Sequence, residues 1–258
     1  MMKLTSTVLL LLFLACGMTT ATAECKQEWK NATAWGHVDA AGSKVSLYVK
    51  ESPENGFVSI PRLNNRLKTV KAEGYEGELK FVPEIDHWRI FVPEDLSLPA
   101  TIEVELVEAI RLCDQPLMVK PTAEGKLILP AHHAETKGDK LRFEPQPHKN
   151  TIGYWTVPSD TATWHFEVGK LSDFDVIVHQ GCGKGQGGSD VEFTVTSLSD
   201  TSSQSFPLKI QDTGHFQNFV PRSIGHIKLA PGKYTLTVSC KSLAKNAVCD
   251  IRQVVLQN

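Results

Sequence analysis

The sequence predicts an all-β protein built as two β-sandwich, jelly-roll-like domains in tandem. Three observations carry this. Short segments alternate apolar and polar residues, turn residues separate them at close intervals, and no stretch has the periodicity of an amphipathic helix. The composition is ordinarily globular: 258 residues, 41% hydrophobic and 22% charged. A formal net charge of -2 gives no electrostatic case for nucleic acid or an anionic membrane surface.

The first segment stands apart from the fold. Residues 1–23 carry Lys3, the apolar run 8–15 and then Ala21-Thr22-Ala23. This is the pattern of a secretory signal peptide cleaved before Glu24, so the protein is expected to be secreted or periplasmic. No later stretch is long enough to span a bilayer. The box Phe13-Leu14-Ala15-Cys16 leaves a lipid anchor on Cys16 as the lesser alternative.

A first series of strands follows. Residues 45–50, 57–60, 67–72, 78–82, 88–92 and 101–107 read as half-buried strands. Between them stand Pro53-Glu54-Asn55-Gly56, Asn64-Asn65, Glu73-Gly74, Pro83 and Pro93-Glu94-Asp95, all turn signals. Residues 24–113 form the first expected domain. Residues 114–125 hold two prolines and a glycine without clear alternation, and form the expected linker.

The second domain is expected over 126–258. Its strands are read at 127–129, 141–144, 163–168, 174–179, 191–196, 205–210, 225–229, 234–239 and 250–256. Trp164 opens an alternating strand with Phe166 and Val168 on the same face, which marks it as core. Residues 181–188 look like a phosphate-binding glycine loop. Such loops work by aiming the amides of a following helix at the phosphate. Strand-like Val191-Glu192-Phe193 follows instead, so a plain loop at the sandwich end is expected.

Five cysteines lie beyond the leader: Cys25, Cys113, Cys182, Cys240 and Cys249. Export permits disulfides. No pair has the C-x-x-C spacing of a sulfur-bound metal. Cys25 with Cys113 would pin the ends of the first domain, and Cys240 with Cys249 would close a hairpin. The competing reading is that all five are reduced and buried.

No residue is assigned a catalytic role. His132-His133 sit side by side, so on a strand their rings would face opposite ways and could not share a metal. They are expected on the surface. Ser223 lacks the Gly-x-Ser-x-Gly elbow. Aromatic residues in loops are the better lead, because the C–H face of a sugar ring packs on a π-face while its hydroxyls take polar partners. Tyr154 and Trp155 precede Pro158 in one loop-like stretch. His215-Phe216-Gln217-Asn218-Phe219 form another. Core packing is the competing account of the Tyr-Trp pair.

These residues carry a resemblance to known families. Residues 127–138, Ile152-Gly153-Tyr154-Trp155 with Asp160 and Trp164, residues 213–219 and Leu229-Ala230-Pro231-Gly232 through Val238 resemble galactose-binding-like, family-six-like carbohydrate-binding modules appended to bacterial fucosidases and sulfatases. The resemblance implies a sugar cleft at Tyr154, Phe216 and Asp250, with Trp155, His215 and Asn218 beside it. Phe216 stands where Trp is usual and Asp250 where Asn is usual. The modules' calcium site relies on a carboxylate in the opening strand, where Pro130-Ala131-His132-His133 stands here, so no cofactor is expected. Residues 34–107 are similar to the β-sandwich that follows the catalytic barrel in alpha-L-fucosidases, through residues 45–49, 53–56, 58–63, 70–74 and 88–92. A (β/α)₈ barrel needs about 250 residues and has no room beside these domains.

The expected function is that of a secreted, non-catalytic carbohydrate-binding protein, an accessory to glycan degradation with a glycan partner. Two alternatives stand beside it. One is a structural or interaction protein of the cell envelope, or an accessory subunit of a separate hydrolase. The other is a small glycan hydrolase with unassigned carboxylates.

Overall fold

The computed structural model describes residues 25–26, 28–113 and 115–258. The signal peptide and the lipid-anchor reading of Cys16 lie outside the described residues, as does the side chain of Cys25. Among the described residues the regular structure is β throughout, except for one 3-10 turn at Ala131–His133.

The first half carries two larger antiparallel sheets and a short ladder of Cys25–Lys26 with Leu112–Cys113. One runs in the order Glu28–Thr33, Gly36–Ala41, Lys44–Val49, Ala100–Leu106, Leu67–Ala72. The other runs Phe57–Pro61, His87–Phe91, Phe81–Pro83. Alternation decides which side chains turn inward: Val45, Leu47 and Val49 from one sheet, Val58, Ile60, Trp88 and Ile90 from the other, all buried. Each such side chain contributes about 1.5–3 kcal/mol on leaving water.

The second half is a larger sandwich. One sheet orders Met118–Val119, Thr161–Val168, Gly232–Ser242, Asp190–Ser197 and Ser203–Lys209, with Glu135–Lys137 also on Thr161–Val168. The other orders Arg142–Glu144, Thr151–Gly153, Asp250–Gln257, Ser172–Cys182 and His215–Leu229, with Leu127–Pro130 also on Asp250–Gln257. Trp164, Phe166, Phe193, Leu236, Val176, Val178, Val254 and Leu256 fill the core. Trp164 is the core residue the sequence predicted, and its indole N–H donates to the Pro130 carbonyl at 2.8 Å.

Several expectations change. The pairing of Glu28–Thr33 with Gly36–Ala41 was not legible, because polar residues break its alternation. Residues 215–219, read as a loop, begin the 15-residue strand His215–Leu229. That strand ends its sheet, so one edge lacks a partner strand and its burial pattern is irregular. Within 114–125, Met118–Val119 lies parallel to His165–Phe166 as an added strand. The glycine loop ends in a strand, Asp190–Ser197, as expected. The Gly188 amide donates to the Ile210 carbonyl at 2.8 Å and the Gly185 amide to the Asp212 carboxylate.

The cysteines divide. Cys240 and Cys249 are free, which overturns the bridge expected between them. Gly232–Ser242 and Asp250–Gln257 belong to different sheets, so the connection between them crosses the sandwich and does not close a hairpin. Cys182 is free as well. Cys113 is not a free thiol, and the backbone places Cys25 directly opposite it in register.

Hydrogen bonds and ion pairs join the two halves. Arg62 donates to the Ala134 carbonyl at 2.7 Å, the Leu67 amide to the Pro145 carbonyl at 2.9 Å, and Arg142 pairs with Glu84 at 3.4 Å. His132 and His133 sit on this seam, which corrects their surface placement. Both are in the 3-10 turn, with rings 4.3 Å apart and edge to face. Arg111 Nη1 lies 3.2 Å from His133 Nε2.

Candidate functional site

The second half has a cleft of about 220 Å³ at one end of its sheets. Three chain segments meet there. The loop after Thr151–Gly153 supplies Tyr154 and Trp155, the start of Asp250–Gln257 supplies Asp250, and the start of His215–Leu229 supplies Phe216 and Gln217.

Tyr154 forms the exposed wall. Its backbone is left-handed, with φ +61°, a conformation that costs a non-glycine residue about 1 kcal/mol or more. The side chain is 50% exposed. The Arg142 guanidinium carbon lies 3.7 Å from the ring centroid and the Lys149 ammonium 5.8 Å away, so cations hold the ring in place. Trp155 also lines the cleft but is only 1% exposed, and its indole N–H has no partner within the described chain.

The floor is acidic. Glu144 and Asp250 are both buried. Gly153 makes their approach feasible: a Cβ there would come 2.4 Å from Glu144 Oε2 and 3.0 Å from Asp250 Oδ1. Lys149 pairs with Glu144 Oε1 at 2.5 Å, and Gln217 donates to Asp250 Oδ2 at 3.2 Å. Burial, and then the charge of Glu144, push the Asp250 carboxyl well above the usual carboxylate range.

Phe216 closes the far side. Its ring lies over Gly183, where a Cβ would come 2.5 Å from Cε2. His215 and Asn218 are not among the lining residues. His215 Nδ1 accepts from the Gln217 amide at 3.2 Å, and Asn218 donates to the Thr213 carbonyl at 2.7 Å, so both brace the turn that presents Phe216. The structure therefore brings Tyr154, Trp155, Phe216 and Asp250 together and leaves His215 and Asn218 outside.

Glu144 and Lys149 belong to the site and were missed, and Gln217 was read only as part of the 215–219 stretch. Strict alternation would leave Glu144 outside, because Phe143 beside it is core. Instead Arg142, Phe143 and Glu144 are all buried: Arg142 meets Glu84 of the first half and the Tyr154 ring, and Glu144 is covered by Lys149 and by Asp250 across Gly153. Asp160, quoted for the resemblance, is structural. It is buried and accepts from the amides of Asp139, Lys140 and Leu141 at 2.8–2.9 Å. Among the described residues no group of three or more His, Cys, Asp or Glu side chains could hold a metal ion. A cavity of about 480 Å³ in the first half runs along His37 and Tyr48, a stacked cross-strand pair, and gathers no pair of carboxylates.

Fold and cleft together define an all-β protein of two sandwiches, the second with an aromatic-walled, carboxylate-floored cleft at its end. No protein-family profile and no curated protein matches the sequence. Among solved structures the chain is similar to an alpha-L-fucosidase from Vibrio sp. strain EJY3, at 16% identity and a TM-score of 0.35, over 88% of this chain and 40% of that one. It is similar to a family 35 carbohydrate-binding module from Clostridium thermocellum, at 11% identity and a TM-score of 0.38, over 51% of this chain and 96% of the module. It is also similar to a carbohydrate-binding module of Cellvibrio mixtus lichenase 5A in complex with cellotriose, at 12% identity and a TM-score of 0.32, over 42% of this chain and 76% of that one. The chain thus spans 40% of the length of the fucosidase it matches.

Proposed function

We propose that this protein is a secreted, non-catalytic carbohydrate-binding protein that serves glycan degradation as an accessory, and that the cleft between Tyr154 and Phe216 holds the sugar. The observation that carries the reading is the cleft itself. A half-exposed tyrosine ring stands over two buried carboxyl groups and an amide, which supply an apolar face and hydrogen-bond acceptors at once. Export is supported by the leader pattern of residues 1–23, and a two-domain division near 114–125 by the five sheets, none of which joins a described strand before residue 114 to one after it.

The test is a glycan array probed with the purified protein, followed by Tyr154→Ala. Loss of the ring is expected to weaken the bound glycan about tenfold, in line with the ~1–1.5 kcal/mol of an aromatic contact. The melting temperature should move little, because the ring is half in solvent. Unfolding by Tyr154→Ala would make the ring a packing residue and remove this site. A folded protein that binds nothing on the array would remove the function.

A further inference from the structure

We propose that the cleft selects a non-anionic sugar residue, neutral or amino, and turns away uronates and sulfated sugars. This rests on the binding reading above and narrows it to a ligand class. The carrying juxtaposition is the pair Glu144 and Asp250. Both present an oxygen to the same point above Gly153, at 2.4 and 3.0 Å from where a Cβ would stand. Their other oxygens are engaged by Lys149 and Gln217. The two oxygens facing Gly153 receive no hydrogen bond from a described residue. A ligand in the cleft meets the Glu144 carboxylate beside a second carboxyl group, an acidic floor that suits hydroxyl and ammonium groups and has no place for a further carboxylate or sulfate.

The nearby cations do not reverse this. Lys149 is held at 2.5 Å by Glu144. Arg142 is stacked on Tyr154 at 3.7 Å and paired with Glu84 at 3.4 Å. Each cation is thus offset by an acid of its own, and together they add no uncompensated positive charge to the cleft floor. Burial, and then the charge of Glu144, disfavour the ionised form of Asp250, and a ligand carboxylate on the same floor meets both penalties. Like charges set against each other in a desolvated site are the usual means by which a binding surface rejects the wrong partner.

Three matched oligosaccharide series decide it: hexose, hexosamine and hexuronate of equal chain length and linkage, titrated into the purified protein by calorimetry at physiological salt, with and without added calcium. The expected result is binding in the hexose or hexosamine series and affinity at least about tenfold weaker for hexuronate. Glu144→Gln and Asp250→Asn, checked for folding by thermal melting, are expected to narrow that gap. Should either variant fail to fold, the wild-type ratio alone decides. Hexuronate bound as tightly as hexose, with or without calcium, overturns this inference and leaves the sugar site standing. No binding in any series overturns both.

Discussion

Gly153 shows how much of the cleft turns on a single missing side chain. It lies in the strand before Tyr154, where a methyl group would meet Glu144 Oε2 and Asp250 Oδ1 at sub-contact distance. Glu144 cannot swing away freely, because Lys149 and the surrounding burial hold it. Gly153→Ala is therefore expected to cost about 1–3 kcal/mol of stability by overpacking and to abolish glycan binding, read by denaturant unfolding and by calorimetry. Gly183→Ala should act differently. Its Cβ would press on the edge of the Phe216 ring, which is only half-buried and can move. Binding should fall while stability stays within about 1 kcal/mol. At this scale, what was legible depended on residue type. Tyr154, Phe216 and Asp250 were found from aromatic residues in turn-rich sequence and from the resemblance. Glu144 and Lys149 carried no such mark: an acid at a strand end and a lysine in a turn occur throughout soluble proteins, and only the pairing of Arg142–Glu144 with Thr151–Gly153 turns them into one floor.

At the scale of elements, alternation found most of the strands whose two faces differ and missed those whose faces do not. Thr161–Val168 buries every second residue and was read almost to its ends. His215–Leu229 has one edge without a partner strand and little contrast between its faces, so its first five residues passed for a loop. The turn Ala131–His133 was missed for another reason: three residues are too few for any period to show. It carries a measurable consequence. Burial, together with neighbouring cations, lowers His132 to about 3 and His133 to about 4 from the usual 6.5. The unfolded chain takes up these protons below pH 6.5 and the folded one does not until near pH 4. Acidification across that window therefore favours unfolding, by up to about 2 kcal/mol per histidine at pH 5. Asp250 works in the opposite sense, since its raised pKa favours the fold as pH falls. The histidine contribution is isolated by comparing melting curves of the wild type and His133→Gln at pH 7 and pH 5: the variant should lose less. The register of Cys25 against Cys113 supports one further proposal, a bridge between them. Alkylation of the denatured, unreduced protein should then label Cys182, Cys240 and Cys249 and spare Cys25 and Cys113. Labelling at Cys113 would remove the bridge.

For the whole molecule, the two halves are best understood through the chain of contacts that crosses between them and ends at the cleft. The sequence divided the protein into two sandwiches but gave no sign that one would support the site of the other, because the contact joins residues far apart along the chain. Glu84 lies in the turn between two strands of the first half, with its amide bonded to the His87 carbonyl at 2.8 Å. Its carboxylate reaches Arg142 Nη1 at 3.4 Å and Arg89 at 3.5 Å. Arg142, with a side chain only 10% exposed, has its guanidinium carbon over the Tyr154 ring, 3.7 Å from the centroid. A planar guanidinium can serve an acid and a ring together, whereas an ammonium cannot cover the ring in the same way. Arg142→Lys is therefore expected to weaken glycan binding several-fold with the fold intact. Glu84→Gln, in the other half and away from the sugar, should produce a smaller loss of about two- to fivefold, because it frees Arg142 without removing it. The pair is long, at 3.4 Å, and Glu84→Gln keeps an amide oxygen able to accept from Arg142, so a melting curve should barely separate this variant from wild type. Calorimetry with the glycan identified on the array decides the matter. Unchanged affinity in Glu84→Gln beside a clear loss in Arg142→Lys would make the first half a neighbour of the cleft, with no part in holding it.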